Sequence, residues 1–246
     1  MMQLEGKRCL VTGGSRNLGR AICLSLAKEG AKVAFTYRKN DVDAKETARL
    51  IEEHAPPALV FRGDVSDARH AREVVDGVVD AWGGLDILIN NAGMTQLLPF
   101  ALIEEADWKL VCDVNVKGVF LFCREAVKHM VHAGTGKIVN ITTFGEGRSV
   151  DAPVHFAASK AAVRGFTEAF AREMGHHGIT ANCLAPGLTD GGLSARLPES
   201  RRRDYVKNSA MRRLGALEEM AKIVLWMVSD DQGFMTGATI VADGGL

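Results

Sequence analysis

The 246-residue chain has only 6 prolines and no charge excess, with 30 Lys and Arg against 30 Asp and Glu. A zero formal charge argues against a polybasic nucleic-acid surface and against an acidic tail. No uninterrupted apolar stretch of about 18 residues exists, so no membrane span is expected. The N-terminus, Met-Met-Gln-Leu-Glu-Gly-Lys-Arg, lacks an apolar h-region, so no secretory signal is expected. The five cysteines, Cys9, Cys23, Cys112, Cys123 and Cys183, are odd in number, widely spaced and free of C-x-x-C. Neither a disulfide framework nor a cysteine zinc site is expected; free thiols in a reducing cytoplasm are. No Ser/Pro-rich linker or low-complexity segment divides the chain.

Glycine, by contrast, is abundant: 26 residues in a chain that is 47% hydrophobic and 24% charged. A Gly/Pro-rich disordered chain would not also be this hydrophobic. The glycines are therefore expected at defined turns of an α/β enzyme.

Strand-like and helical segments alternate. Short apolar runs occupy 7–12, 31–37, 58–62 and 85–89. Between them lie helical patterns at 18–28, 41–53 and 67–81, the last opened by Asp67 as N-cap. The second half continues with one or two long helices over 104–130, then strands at 136–142, 179–184 and 238–241. Helices are predicted over 155–174 and 217–228. Alternation of this kind means parallel strands with crossovers. Seven strands fit a single Rossmann-type doubly wound sheet with helices on both faces, in one domain spanning 1–246. The segment 189–213 is the least regular, contains Gly191-Gly192 and Arg201-Arg202-Arg203, and is expected to form a substrate lid. The plainer reading of its arginines is a solvated helix face.

Thr12-Gly13-Gly14-Ser15-Arg16-Asn17-Leu18-Gly19 lies between the first strand and the first helix. Glycine there lets the backbone turn tightly and approach a diphosphate, and the helix N-terminus offers free N–H groups. The second strand ends at Tyr37-Arg38 without the carboxylate that an NAD ribose hydroxyl would want. Arg16 and Arg38 instead suit a 2′-phosphate, because a guanidinium donates in a bidentate fork. NADP(H) is the expected cofactor.

Further motifs follow in order: Gly63-Asp64-Val65, Asn90-Asn91-Ala92-Gly93, Val114-Asn115-Val116 and Thr142-Thr143. After them come Ala157-Ala158-Ser159-Lys160, Pro186-Gly187, Thr236-Gly237 and Asp243-Gly244-Gly245. Over nearly its whole length the chain resembles the short-chain dehydrogenase/reductase family, in its FabG-like 3-oxoacyl-(acyl-carrier-protein) reductase branch. The resemblance implies that the loop Gly13, Ser15, Arg16, Asn17, Leu18 and Gly19 holds the cofactor diphosphate. It places Asp64 and Val65 beside the adenine, and Asn91, Ala92 and Gly93 along the cofactor cleft. Pro186, Gly187 and Thr189 are implied to contact the nicotinamide carboxamide. Thr143 is implied to bind the substrate carbonyl, and Asn115 to anchor a water in a proton relay through Lys160, which also binds the nicotinamide ribose. Hydride would pass from the nicotinamide to a ketone, a β-ketoacyl thioester or polyketide-type carbonyl, free or delivered by a carrier protein. A cytoplasmic homotetramer or homodimer is implied as well.

Three positions depart from the family pattern. Asn17 replaces a glycine, and asparagine tolerates positive φ better than most residues. Thr143 replaces the usual serine and keeps its hydroxyl. Phe156 replaces the tyrosine of Y-x-x-x-K, so the general acid is missing. Three explanations stay open for Phe156. One is a deliberate Tyr→Phe change that traps substrate with cofactor. Another is a natural variant with altered or non-redox chemistry, with His155 or Asp151 as proton source. The third is a non-catalytic binding or assembly subunit.

Other features carry less. His129 and His132 have ligand spacing on a helix but no third ligand, so no metal is expected. His177 stands where carrier-protein reductases of this branch usually have arginine, which weighs against an acyl-carrier substrate. Lys128, Arg196, Arg201 and Arg203 leave room for a basic patch. Trp108 and Trp226 are expected in core or interface packing. Met94 and Phe144 are expected to line the substrate pocket.

Overall fold

A computed structural model of the chain describes residues 3–144 and 152–246. Residues 145–151, including Asp151, lie outside the described residues.

Seven parallel strands form one sheet in the order β3-β2-β1-β4-β5-β6-β7. They are β1 (Arg8–Thr12), β2 (Lys32–Tyr37), β3 (Leu59–Arg62), β4 (Ile87–Asn90), β5 (Gly136–Ile141), β6 (Ile179–Pro186) and β7 (Thr239–Ala242). The intervening helices are α1 (Asn17–Lys28), α2 (Asp41–Glu52), α3 (Ala68–Trp82) and α4 (Glu105–Cys112). The remainder are α5 (Gly118–Ala133), α6 (Val154–Met174), α7 (Glu199–Asn208) and α8 (Leu217–Val228).

The period-2 geometry of a strand sorts the core. Cys9 and Val11 of β1 face one layer, with Ile22 and Leu26 of α1 and Val224 of α8. Leu10, between them, faces the other, with Val75 of α3, Phe122 of α5 and Val163 of α6. Burial on both faces is why β1 and β4 read as unbroken apolar runs. Strand order reverses between β1 and β4, which opens a crevice at their carboxyl ends.

Most predicted elements match within two residues, and Asp67 caps α3 by accepting from Arg69 N at 2.8 Å. Of the one or two helices expected over 104–130, two form, α4 and α5, joined by a π turn at Asp113–Lys117. The 189–213 segment contains the helix α7, in keeping with the solvated-face reading of its arginines. Trp108 and Trp226 are 43% and 45% exposed, so the core half of their core-or-interface expectation fails.

At the opposite end of β1 and β4, Arg8 grips Asp86. Its Nε and Nη2 donate to the carboxylate at 2.8 and 2.6 Å, and its backbone N donates at 2.8 Å. Burial pushes the Asp86 carboxyl up, but these bonds outweigh it and hold it below the usual carboxylate range. A depressed folded value means stability that is present above about pH 4 and lost as pH falls through the folded value. Asp86→Asn should cost about 1–3 kcal/mol at neutral pH. Denaturant unfolding at pH 7 and pH 3 checks this: the gap between parent and variant should narrow at the lower pH.

Candidate active site

The loop after β1 is shaped by what its glycines touch. Gly13 has φ +67°, and a Cβ there would sit 3.0 Å from Ala92 Cα. A Cβ on Gly14 would lie 2.5 Å from Phe35 Cβ, and one on Gly19 would lie 2.1 Å from Gly13 O. The backbone therefore passes against its neighbours with no room for side chains. Asn17 opens α1 at φ +49°, the left-handed region that asparagine accepts. Arg16 occupies the N-cap and makes no side-chain cap, and the first turn of α1 holds no acidic residue. The helix N-terminus thus keeps its N–H groups and positive end for an external anion. Those features fit a dinucleotide diphosphate. Ser15 is buried, and its carbonyl accepts from Arg20 and from Thr47 Oγ1 at 2.7 Å, which fixes the loop from behind. Leu18 packs against the α1 side of the core.

The cleft is locked across β1 and β4. Thr12 Oγ1 accepts from Asn91 N and Ala92 N, each at 3.0 Å. Asn91 Nδ2 donates to the carbonyls of Thr12 and Gly13, both at 3.0 Å. At the far edge, Arg38 Nε lies 3.0 Å from Asp64 Oδ2. Burial raises the Asp64 carboxyl, but bonds from Ser66 N and Oγ, with the Arg38 charge, hold it below its ordinary range. Val65 packs beneath Gly118, where a Cβ would meet it at 3.1 Å.

Asn115 sits in the π turn and is fully buried. Its Oδ1 accepts from Met94 N at 2.8 Å, and its Nδ2 donates to Met94 O at 3.0 Å and to Ser159 Oγ at 2.9 Å. Ser159 Oγ in turn donates to Phe156 O at 2.7 Å. Asn115 thus ties the Gly93-Met94 backbone to α6. π turns concentrate at functional sites because the extra residue re-aims one side chain. Lys160, four residues after Phe156, is buried and donates from Nζ to Ile141 O at 2.7 Å. Its Nζ lies 5.9 Å from the centre of the Phe156 ring. Lys160 Nζ and Asn115 Oδ1 both lie 3.4 Å from where a Cβ of Gly93 would stand. Asn115, Phe156, Lys160 and Gly93 are therefore brought together; half-buried Thr143 lies two residues past the end of β5.

Gly187 follows β6, its N donating to Ala242 O at 2.8 Å. Thr189 N donates to Ser194 Oγ at 3.0 Å, and Thr189 bridges to Gly215. A Cβ on Gly191 would sit 3.5 Å from Asn17 Oδ1, so the segment after β6 closes over the Gly-rich loop. Phe144 is buried, edge-on to Tyr205 at 5.4 Å. Tyr205, one of two tyrosines in the chain, donates its hydroxyl to Asp243 O at 2.5 Å.

His155 is fully buried with Nε2 3.3 Å from Gln96 Oε1, and its Nδ1 meets no partner. Among the described residues no cluster of metal-ligating side chains occurs, and His129 faces Asp76 at 3.7 Å. Cys9, Cys23, Cys123 and Cys183 are buried free thiols, and Cys112 is half-buried. No helix among the described residues is long and apolar enough to cross a membrane. The sequence motifs contained Thr12 and Ser159 but gave neither a role. Their positioning bonds depend on β1 meeting β4 and on α6 meeting the π turn.

The family described as Enoyl-(Acyl carrier protein) reductase matches residues 13–246. The 3-oxoacyl-[acyl-carrier-protein] reductase FabG of Thermotoga maritima is 36% identical over 248 residues, covering 100% of this chain and 99% of the relative. The (2S)-[(R)-hydroxy(phenyl)methyl]succinyl-CoA dehydrogenase subunit BbsD of Thauera aromatica is also 36% identical, covering 99% and 98%. The solved structure of the short-chain dehydrogenase/reductase from Serratia marcescens BCRC 10948 superposes with a TM-score of 0.92 at 34% identity, covering 99% of this chain and 98% of that one. A full-length match in sequence and in fold leaves one assignment: the chain belongs to the short-chain dehydrogenase/reductase family of oxidoreductases, in its FabG-like branch, which uses a nicotinamide cofactor.

Proposed function

We propose that this chain is an NADPH-dependent ketoreductase scaffold for a β-ketoacyl thioester or polyketide-type ketone, with its acid position occupied by Phe156. The carrying observation is that Phe156 holds an aromatic ring 5.9 Å from the buried Lys160 ammonium, beside Asn115 and Gly93. Asn115 and Lys160 are kept around the acid position, Thr143 retains a hydroxyl, and one phenol oxygen is missing.

Bound NADPH supplies the hydride. The α1 N-terminus and the Gly13–Gly19 loop bind its diphosphate, Arg16 and Arg38 its 2′-phosphate, and Asp64 and Val65 flank the adenine. Asn91, Ala92, Pro186, Gly187 and Thr189 line the nicotinamide end. Thr143 donates to the substrate carbonyl oxygen. Lys160 raises the local positive potential and holds the ribose. Asn115 fixes the cleft wall and presents the second lone pair of Oδ1 to a water. The assembly is a cytoplasmic homodimer or homotetramer, without nucleic acid or membrane.

Arg38 gives the cofactor selectivity its test. Arg38→Ala should weaken NADPH binding by about tenfold to hundredfold through loss of a charge-assisted fork, and leave NADH binding unchanged. Fluorescence titration with both cofactors measures it. The ketoreductase reading is tested by Phe156→Tyr. Ketone-dependent NADPH oxidation appears with β-ketoacyl thioesters or simple ketones if the reading holds, and stays at background if it fails.

A second reading, a non-catalytic partner in a larger dehydrogenase, is favoured by Phe156 and by the Thauera relative's being named as a subunit. It predicts that Phe156→Tyr remains inactive while NADPH still binds.

A further inference from the structure

A groove of about 500 Å³ runs along α7, outside the site just described. Four cations line it, Arg202, Arg203, Lys207 and Arg212, against one carboxylate, Glu199. Glu199 lies 3.7 Å from Arg203, so it is already matched. The neighbouring Arg213 is neutralised by Glu219 at 2.7 Å. Among the described residues no carboxylate pairs with Arg202, Lys207 or Arg212. Arg202 is only partly exposed, and its Nε is buried without a hydrogen-bond partner. Buried N–H groups without acceptors are rare, and Arg202 is also a lining residue of the groove. Arg212 is held at φ +54°, an uncommon conformation for arginine.

The groove adjoins the site loop. Leu214, in its wall, precedes Gly215, whose N donates to Leu188 O at 3.0 Å and which bridges to Thr189. On its inner side α7 presents Tyr205 to Phe144, the residue after Thr143.

We propose that this groove binds the phosphorylated nucleotide end of coenzyme A, so that the ketone reaches Thr143 as a coenzyme A thioester. The proposal rests on the ketoreductase reading and adds a second anion site to it. The volume falls in the range of small-ligand pockets. Two arginines and a lysine without partners match a diphosphate and a 3′-phosphate, with guanidinium forks suited to bidentate phosphate contacts. Val206 and Leu214 supply the apolar surface an adenine needs. Arg203, Lys207 and Arg212 are exposed, but Arg202 is only partly so, and a recessed cation suits a small phosphorylated ligand better than a protein face.

Isothermal titration of the full chain, saturated with NADPH, compares coenzyme A, pantetheine and a phosphopantetheinylated acyl carrier protein. Coenzyme A should bind, and pantetheine, lacking the phosphates, at least about tenfold more weakly. The double variant Arg203→Glu/Lys207→Glu should lose about tenfold or more in coenzyme A affinity and keep its NADPH affinity. Arg212→Gly, which relaxes the backbone while removing a charge, should show the same direction. Several results would overturn the groove: equal binding of coenzyme A and pantetheine, no coenzyme A binding, or undiminished affinity in both variants. Competition between coenzyme A and NADPH, or binding of the carrier protein alone, would do the same. If coenzyme A binds through these residues while Phe156→Tyr stays inactive, the groove stands and the reductase reading falls. If Phe156→Tyr reduces simple ketones and coenzyme A does not bind, the reverse holds.

Discussion

Ketone-dependent NADPH oxidation is expected to rise by about 10²–10⁴-fold when Phe156 is replaced by tyrosine. Reduction of a ketone places negative charge on its oxygen, and a positioned acid neutralises it. Phenylalanine has the ring but no proton to give. The ring already sits 5.9 Å from Lys160 Nζ, and that lysine is buried, so little water screens its charge. A phenol placed there has its pKa drawn below its usual value of about 10 toward working pH. The gain corresponds to roughly 3–5 kcal/mol of barrier. It should appear in kcat, with KM little changed, because the two rings fill the same space. The pH–rate profile of the variant should show an ionisation that the parent lacks. A second change, Lys160→Met, added to the Phe156→Tyr variant, should remove most of the gain. Steady-state kinetics with a β-ketoacyl thioester and a simple ketone decide the matter. A rate no higher than that of the parent, with NADPH still bound, defeats the ketoreductase reading.

Gly19→Ala is expected to have the next largest effect, on stability and on cofactor binding together. An added Cβ would stand 2.1 Å from Gly13 O and 2.7 Å from Asn91 Nδ2. Gly13 O is backbone and cannot swing aside like a side-chain tip. It also accepts the Asn91 bond at 3.0 Å that joins β1 to β4. The turn must open, so the diphosphate cradle and the β1–β4 lock are disturbed at once. Overpacking of this kind costs about 1–3 kcal/mol. Alanine's better helix propensity returns at most about 1 kcal/mol. Denaturant unfolding should show the loss, and NADPH affinity should fall about hundredfold or more. Gly165→Ala provides the contrast. It lies within α6 with nothing within 4 Å of an added Cβ, so it should be neutral or stabilising by about 0.5–1 kcal/mol. Retention of parental NADPH affinity by Gly19→Ala would show that the loop yields without penalty.

Where the chain forms local structure with a strong period, its sequence is readable. The bounds of α8 match because Met220, Val224, Met227 and Val228 recur on one face next to the core. Helix α7 is readable only as a solvated face without bounds, for the opposite reason: in Glu-Ser-Arg-Arg-Arg-Asp-Tyr-Val-Lys-Asn only Tyr205 is buried, so no apolar stripe marks its ends. Its arginines also divide. Arg201 and Arg203 are exposed, whereas Arg202 is only partly so and has its Nε buried. The π turn at 113–117 is equally silent, since it accompanies the bonds Asn115 makes to Met94 and Ser159, 21 and 44 residues away.

By itself the sequence determined the alternation of strands and helices, the Gly-rich turn, the asparagine at a left-handed position and the absence of a phenol at position 156. These follow from short-range rules: side-chain periodicity, backbone sterics and which atoms a residue carries. Only the tertiary structure decided that Gly93, Asn115, Phe156 and Lys160 meet in one place and that Arg38 pairs with Asp64. Those are through-space relations between segments distant in the chain, set by strand order and helix packing, and no local pattern encodes a distance across the sheet.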